Sequence, residues 1–347
     1  MSTELVKSSQ QKALAAGIRE FTLPATIADQ GEKAAERFFT FFTDTIPNKN
    51  TRAAYYRNAM RFFAWTGKKR LSLLDIKSYH VSGYLAELTR TGTPQPASTP
   101  TVKQHLAALR MLFDWLIVGQ VLEVNPAAAV RAAKHVVKKG KTPVLTADEA
   151  RTLLDSIPIK IGPEPPEGEE DKRPPSLIGL RDRALIGVMV FSFARVTAAL
   201  GMKVEDYYTE GRRGWFRLHE KGGKRHEVPA HHNAEDYLDA YIAVAGIAGE
   251  KKSPLFRTID RRRKLTGRPM HRNDALRMIK QRAKAIGLPE EICCHTFRAT
   301  GITAYLENGG TIEHAQQIAN HESPKTTKLY DRTSDQITLD EVERIVI

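Results

Sequence analysis

The spacing of apolar residues between positions 31 and 130 constrains the fold more than any other feature of the chain. Apolar side chains recur there at helical intervals: Phe38, Phe39, Phe41 and Phe42 in one segment, Leu106, Leu109, Phe113 and Leu116 in another. Such intervals place side chains on one face of an α-helix. Pro126 ends the pattern, because a proline disfavours helical backbone at the residue before it. The sequence predicts an all-helical domain over 31–130, preceded by a flexible arm or one loose helix over 1–30.

The charge of the chain favours a polyanionic partner, most simply nucleic acid. Its 53 Lys and Arg residues against 40 Asp and Glu residues give a formal net charge of +13 at pH 7. Between Asp44 and Asp75 the chain has no acidic residue, and Arg57 and Arg61 share one helix face. We interpret this basic face as a DNA-backbone contact, with a solvated face as the alternative. The candidate residues are Lys49, Arg52, Arg57, Arg61, Lys68 and Lys69.

A second basic stretch comes directly after the helical domain. Residues 131–143, RAAKHVVKKGKTP, contain no acid and end near Gly140 and Pro143. The composition predicts an inter-domain linker, either plainly solvated or crossing a DNA backbone through Lys138, Lys139 and Lys141.

The second domain is expected over 144–330. Thr146 and Glu149 have the spacing of a capping box, and Ile178 to Phe191 is the most apolar helical segment. Residues 163–175, rich in proline and acid, predict a protruding or disordered loop. Residues 215–229 alternate in polarity around two glycines, which predicts a β-hairpin. From Ala234 onward we expect helices, so the fold class is mostly α with a small β-sheet.

Four polar residues near the C-terminus have a spacing that suggests chemistry. His295 and Arg298 lie one helical turn apart in HTFR, and His321 and Tyr330 follow in HESPKTTKLYDR. The adjacent Cys293 and Cys294 fit a reducing, intracellular setting and are expected to be packing residues. No metal or cofactor is expected, because metal-ligand spacing is absent from the four histidines that might suggest a metal site: His219, His226, His231 and His232.

These motifs, taken in order, resemble those of the tyrosine recombinases, the DNA strand-exchange enzymes of the phage-integrase, Cre and Xer type. The similar stretches are NKNTRAAYYRNAMRFFAW, LTADEARTLL, FARVTAALGMKVEDY and IANHESPKTTKLYDR. Each motif alone is weak, but the ordered set is specific. The resemblance covers about 31–347, nearly the whole chain.

The resemblance implies a distributed catalytic site of one tyrosine, two arginines, two histidines and one lysine: Arg195, Lys221, His295, Arg298, His321 and Tyr330. Tyr330 would be the nucleophile. The two guanidiniums would bind the phosphate, since they stay charged at every relevant pH. His295 would be the base, and His321 would hydrogen-bond the phosphate. Lys221, or alternatively Lys224, would protonate the leaving 5′ oxygen.

Three positions depart from the family's usual pattern. Phe193-Ala194 stands where glycine-leucine is common, and Asn320 where glycine usually precedes the histidine. Ala198 stands where an acidic residue commonly follows the first arginine and orients the site. We therefore expect Asn320 to adopt left-handed backbone, and the support of Arg195 to differ.

The resemblance also implies an assembly. A helical core-binding domain and an α+β catalytic domain would form a C-shaped clamp on double-stranded DNA, four protomers would join two sites, and no cofactor would be needed. The tail over 331–347 would dock on a neighbouring protomer or pack in cis. The expected protein is a cytoplasmic, nucleoid-associated integrase or resolvase of a mobile element. A type IB topoisomerase-like enzyme and a catalytically weak DNA-binding relative are the alternatives.

Overall fold

The structure is a computed structural model that describes residues 22–90, 96–134, 140, 142–166, 168–220 and 223–331. The chain divides into two compact units, with the boundary between Val136 and Val137. Several predictions lie wholly or partly outside the described residues: positions 1–21 of the arm predicted over 1–30, Lys138, Lys139, Lys141, Lys221, and positions 332–347 of the tail predicted over 331–347. In the described ranges, no helix is both long and apolar enough to cross a membrane.

The described part of the first unit is helical. Its elements are α1 (Ala25–Ala28), α2 (Glu32–Thr40), a π-helical turn (Phe41–Thr45), α3 (Lys49–Lys68), α4 (Ser78–Thr89) and α5 (Thr99–Val118). Helix α3 begins after Asn48, whose side chain accepts hydrogen bonds from the backbone N–H groups of Asn50 and Thr51.

An aromatic cluster forms the core of this unit. The four phenylalanines of the first apolar stripe are all buried: Phe38, Phe39, Phe41 and Phe42. Phe62 of α3 meets Phe113 of α5 edge to face, with ring centroids 6.0 Å apart. Two polar groups inside this core pair with each other, since the Tyr84 hydroxyl lies 2.9 Å from His105 Nδ1. The core therefore joins the helices that the apolar spacing predicted.

The second unit combines helices with two small sheets. Its helices are α6 (Ala147–Asp155), α7 (Leu177–Phe191), α8 (Val196–Leu200), α9 (His232–Ala245), α10 (Arg272–Ala285), α11 (Cys294–Glu307), α12 (Ile312–Ile318) and α13 (Pro324–Lys328). The predicted capping box starts α6, because Thr146 Oγ1 accepts from the Glu149 N–H at 3.1 Å and Glu149 Oε2 accepts from the Thr146 N–H at 2.8 Å.

Helix α7 lies at the centre of the second core, as its apolar composition predicted. It is buried along most of its length, and α9 and α11 pack against it. The approach of α11 is very close at Gly301, where a Cβ atom would lie 2.1 Å from the Val190 carbonyl oxygen of α7. A residue without a side chain is therefore required at this crossing.

The first sheet contains the predicted hairpin. Strands β1 (Tyr207–Glu210), β2 (Arg213–His219) and β3 (Arg225–Pro229) are antiparallel in that order. Phe216 and Leu218 alternate inward and are buried, and Phe216 pairs with Val228. The mostly helical fold with a small sheet is thus confirmed.

A second hairpin differs from the expectation that helices alone follow Ala234. Strands β4 (Arg257–Ile259) and β5 (Leu265–Pro269) pair antiparallel. Asp260 closes the turn, accepting from the N–H groups of Arg262 and Lys264 at 2.9 Å. Arg263 takes the left-handed conformation there, with φ of 60°. The hairpin was not predicted from the sequence because its strands are short and polar, and because its turn contains no glycine.

The acidic loop over 163–175 has a closed base. The Ile161 N–H donates to the Pro174 carbonyl at 2.9 Å, and Lys160 pairs with Asp171 at 2.9 Å. Both oxygens of Asp171 also accept from Arg173, through Nε at 2.9 Å and a terminal nitrogen at 3.0 Å. These contacts therefore hold the two ends of the loop together, and the described residues between them have irregular structure.

Candidate active site

Helix α11 carries His295 and Arg298, one turn apart. Arg298 is only 1% exposed. One of its terminal nitrogens donates to the Phe193 carbonyl, and the other donates to the Ala319 carbonyl at 2.6 Å. Its buried Nε has no hydrogen-bond partner among the described residues. A buried charged donor left unpaired is costly, and such a group is explained when an anionic substrate completes the site.

The two carbonyls that hold Arg298 belong to unusual turns. Phe193 has φ of 53°, and Asn320, which follows Ala319, has φ of 47°. Both residues occupy positions at which the tyrosine recombinase pattern commonly has glycine, and the left-handed backbone explains why glycine is common there. The expectation for Asn320 is confirmed. For a residue as bulky as Phe193 this backbone costs about 1–2 kcal/mol, so the bond to Arg298 helps to hold a strained turn.

Tyr330 is buried beside His295. It follows α13, is 7% exposed, and its hydroxyl lies 2.7 Å from His295 Nε2. Its backbone carbonyl accepts from Thr303 Oγ1 at 2.9 Å, which ties the segment to α11. Burial raises the pKa of Tyr330, while the nearby Arg298 and Arg195 lower it. The hydroxyl is therefore protonated at neutral pH and needs a base to react.

His295 has the charge state that a base requires. Burial lowers the pKa of His295 below 6.5, and Arg298 and Arg195 lower it further. The ring is therefore neutral at pH 7. A neutral imidazole can accept the Tyr330 proton at Nε2, where the two side chains already meet.

His321 lies on the other side of Tyr330. The two rings are stacked, with centroids 5.8 Å apart and planes 8° from parallel. Burial, with the charges of Arg298 and Arg195, lowers the pKa of His321 to about 3. Its Nδ1 lies 2.9 Å from Thr327 Oγ1. With the hydroxyl donating to Nδ1, the neutral ring carries its proton on Nε2 and can donate to a phosphate oxygen.

Arg195 has a partner that the sequence did not reveal. It is the N-cap residue of α8, and its side chain is 39% exposed. A terminal nitrogen donates to Glu220 Oε2 at 2.5 Å, and the Glu220 side chain is 5% exposed. Glu220 therefore provides the support of Arg195, which was expected to differ from the family's usual pattern. The available signals were the missing acid at Ala198 and a glutamate beside a candidate catalytic lysine.

The hairpin with the candidate lysines is anchored at its stem. The Glu220 N–H donates to the Lys224 carbonyl at 2.9 Å, and His226 Nε2 lies 2.9 Å from the Ile318 carbonyl at the end of α12. Lys224 itself is exposed and lies 3.9 Å from Glu322. Lys221 falls outside the described residues, so the choice between the two lysines stays a prediction.

The basic residues of the first unit fall into two groups. Most of the candidate DNA contacts are exposed: Lys49, Arg57, Arg61, Lys68 and Lys69. Arg52 is only 7% exposed, and its Nε donates to the Ile46 carbonyl at 2.9 Å. We therefore remove Arg52 from the candidate contacts, because it stabilises the start of α3 from inside the unit.

Neither the histidines nor the cysteines form a further site in the described ranges, where no group of three or more His, Cys, Asp or Glu residues is placed to hold a metal ion. His219 instead lies 2.9 Å from Asp206 Oδ2. Cys293 and Cys294 are free thiols, and burial raises the pKa of Cys294 to about 11. The thiol is therefore uncharged at neutral pH.

Comparison with known proteins supplies the family. The phage integrase family model matches residues 144–336, more than half of the chain. The chain belongs to the phage integrase family. The N-terminal SAM-like domain of phage integrases also matches, over residues 41–119. The tyrosine recombinase prediction is confirmed, and the protein is a site-specific recombinase.

Relatives of this recombinase include the Xer enzymes. It is 25% identical to tyrosine recombinase XerD of Chlorobaculum tepidum, over 86% of this chain and 91% of that one. It is 27% identical to tyrosine recombinase XerC of Thermodesulfovibrio yellowstonii, over 82% and 85%.

Two solved structures show the same fold. The XerH recombinase in a post-cleavage complex with palindromic difH substrate has a TM-score of 0.64 and 18% identity, covering 98% of this chain and 94% of its own. A lambda integrase dimer bound to a COC′ core site has a TM-score of 0.62 and 19% identity, covering 95% and 89%.

Proposed function

We propose that this recombinase cleaves and rejoins DNA through a 3′-phosphotyrosyl intermediate on Tyr330, with no need for ATP or a metal ion. The observation that carries the proposal is the 2.7 Å contact between the Tyr330 hydroxyl and His295 Nε2, beside the buried guanidinium of Arg298. This contact joins an oxygen nucleophile to a neutral base at a site prepared for a phosphate.

The roles of the side chains follow from charge and proton balance. Tyr330 Oη attacks the scissile phosphorus while His295 takes the hydroxyl proton, and the bond from phosphorus to the 5′ oxygen breaks. Lys221 gives a proton to the departing 5′ oxygen, with Lys224 as the alternative. Arg195 and Arg298 neutralise the charge on the non-bridging oxygens, and His321 donates a hydrogen bond to one of them.

The same chemistry runs in reverse. The phosphotyrosyl bond keeps the energy of the phosphodiester, so a free 5′ hydroxyl can attack it and restore a DNA strand. Attack by the hydroxyl of a different strand gives recombination. Attack by the original strand after rotation gives relaxation, the second candidate outcome, which rests on this same site.

The biological setting belongs to the proposal as well. Strand exchange requires two recombination sites to be brought together, which a homotetramer on double-stranded DNA achieves. The match to XerC and XerD along most of the chain supports exchange over relaxation. We place the enzyme in the cytoplasm, on the DNA of a mobile element that it integrates or resolves.

The test is covalent trapping on a nicked suicide substrate that carries the enzyme's own recombination site. Tyr330→Phe is expected to bind this DNA with unchanged affinity and to form no covalent complex. Tyr79→Phe is the matched control, because Tyr79 is 67% exposed on the first unit and should react like wild type. A covalent complex with Tyr330→Phe would refute the nucleophile. A two-site plasmid then separates exchange from relaxation.

A further inference from the structure

The contact between Arg195 and Glu220 is short and its carboxylate is buried, which distinguishes it from a surface ion pair. Its nitrogen–oxygen distance is 2.5 Å, and the Glu220 side chain is 5% exposed. A buried carboxylate requires a partner, because a buried charge left unpaired is strongly destabilising. Surface pairs on the same sheet differ: Glu227 pairs with Arg217 at 2.9 Å while 45% exposed.

The position where an acid was expected cannot supply this contact. Ala198 is 1% exposed and packs in the apolar core of the second unit. A carboxylate at that position would enter an apolar environment. The structure brings one from another part of the chain, since Glu220 directly follows β2 and reaches Arg195 at the start of α8.

We propose that Glu220 is the positioning residue for Arg195: its carboxylate holds the guanidinium where it meets the scissile phosphate, in place of an acid at Ala198. This inference rests on the proposed function. The contact uses one terminal nitrogen of Arg195. A guanidinium has five N–H donors, so donors remain for the phosphate.

Charge balance explains why a carboxylate is needed. The pKa of Arg298 falls to about 10 because of burial and of the charge on Arg195, and Glu220 acts in the opposite direction. The two arginines therefore repel each other before DNA binds. The Glu220 carboxylate reduces this repulsion and so helps to keep both arginines in place for the phosphate.

Glu220 also links Arg195 to the lysine hairpin. Its N–H donates to the Lys224 carbonyl, and its own carbonyl accepts from the Gly223 N–H at 3.2 Å. Lys221 is the next residue in the chain. The residue that orients Arg195 thus directly precedes the candidate general acid in the chain.

The experiment compares Glu220→Gln with Glu227→Gln in the full-length enzyme. Both changes remove one negative charge from an arginine-paired glutamate of the same hairpin region, which makes the second a matched control. Single-turnover formation of the covalent complex is measured at saturating suicide DNA. The DNA dissociation constant and melting temperature are measured alongside.

We expect Glu220→Gln to cleave at least tenfold more slowly at saturation, with the dissociation constant within about threefold of wild type, and Glu227→Gln to match wild type in both. In an Arg195→Lys background, Glu220→Gln should slow cleavage less than threefold further, because its effect acts through Arg195.

Three results would overturn the assignment: cleavage by Glu220→Gln as fast as or faster than wild type, a loss confined to DNA affinity or melting temperature, or full additivity with Arg195→Lys. A wild-type enzyme that forms no covalent complex would instead refute the proposed function.

Discussion

Replacing Gly301 by alanine should displace helix α11 and, with it, Arg298. The added Cβ would lie 2.1 Å from the Val190 carbonyl oxygen and 2.8 Å from a ring atom of Phe193. A normal contact needs roughly 3.2 Å, so α11 and α7 must separate by about 1 Å, and overpacking of this kind costs about 1–3 kcal/mol. Since each kcal/mol shifts the melting temperature of a domain of this size by about 2–4 °C, the loss is measurable.

The same displacement predicts a loss of rate. Arg298 lies one turn before Gly301 on α11 and donates a hydrogen bond to the Phe193 carbonyl. The new methyl group would press against the ring of the same phenylalanine. A misplacement of about 1 Å at a catalytic group can cost about a hundredfold in rate. Gly301→Ala should therefore bind DNA normally and form the covalent complex between tenfold and a hundredfold more slowly.

Calorimetry and single-turnover trapping measure the two effects on the same preparation. The control is Gly249→Ala, where the new Cβ has no atom within 4 Å and the backbone φ is not positive. That change should be neutral or stabilise by up to about 1 kcal/mol. If Gly301→Ala melted with wild type and cleaved within twofold of its rate, the close crossing of α11 and α7 would be refuted.

Three further predictions concern protonation and DNA contact. The cleavage rate should fall at acid pH with its midpoint below 6.5, because the lowered pKa of the base His295 delays its protonation. His295→Gln should abolish this fall, and a midpoint above pH 6.5 would contradict the assignment. Arg57→Gln should reduce the salt slope of DNA binding by about one, whereas Arg52→Gln should lower the melting temperature because Arg52 is buried. If salt titrations and thermal melts gave the reverse pattern, Arg52 would again be a candidate DNA contact. Arg261→Gln combined with Arg262→Gln, on the exposed turn of the β4–β5 hairpin, should reduce the salt slope of DNA binding by about two. Lys251→Gln with Lys252→Gln removes the same charge and should reduce this slope less. Equal effects of the two double variants would indicate that only the net charge of the protein matters.

Local patterns predicted much of the fold. The capping box at Thr146 and Glu149, the alternation of Phe216 and Leu218, and the apolar run of α7 each depend on residues close together in the chain. The spacing of His295, Arg298, His321 and Tyr330 was equally readable. Such features need no knowledge of tertiary packing.

The features that the sequence did not reveal depend on distant parts of the chain. Glu220 meets Arg195 across two elements, and the missing acid at Ala198 does not by itself tell which distant residue replaces it. Arg52 lies on a basic stretch yet turns inward to the Ile46 carbonyl, so a count of charges misplaced it. The turn at Arg263 uses left-handed backbone without the glycine that marks such turns.

The bonds of Arg298 affect how an inactive form of this enzyme should be chosen for structural work with DNA. Removing the guanidinium would leave the Phe193 and Ala319 carbonyls without these donors, and each unpaired buried group costs about 1–3 kcal/mol. The two left-handed turns beside them would then be free to relax, so a complex trapped with such a variant would show a rearranged site. Tyr330→Phe removes one oxygen and its contact to His295. It is therefore the substitution that leaves the uncleaved complex closest to the native one.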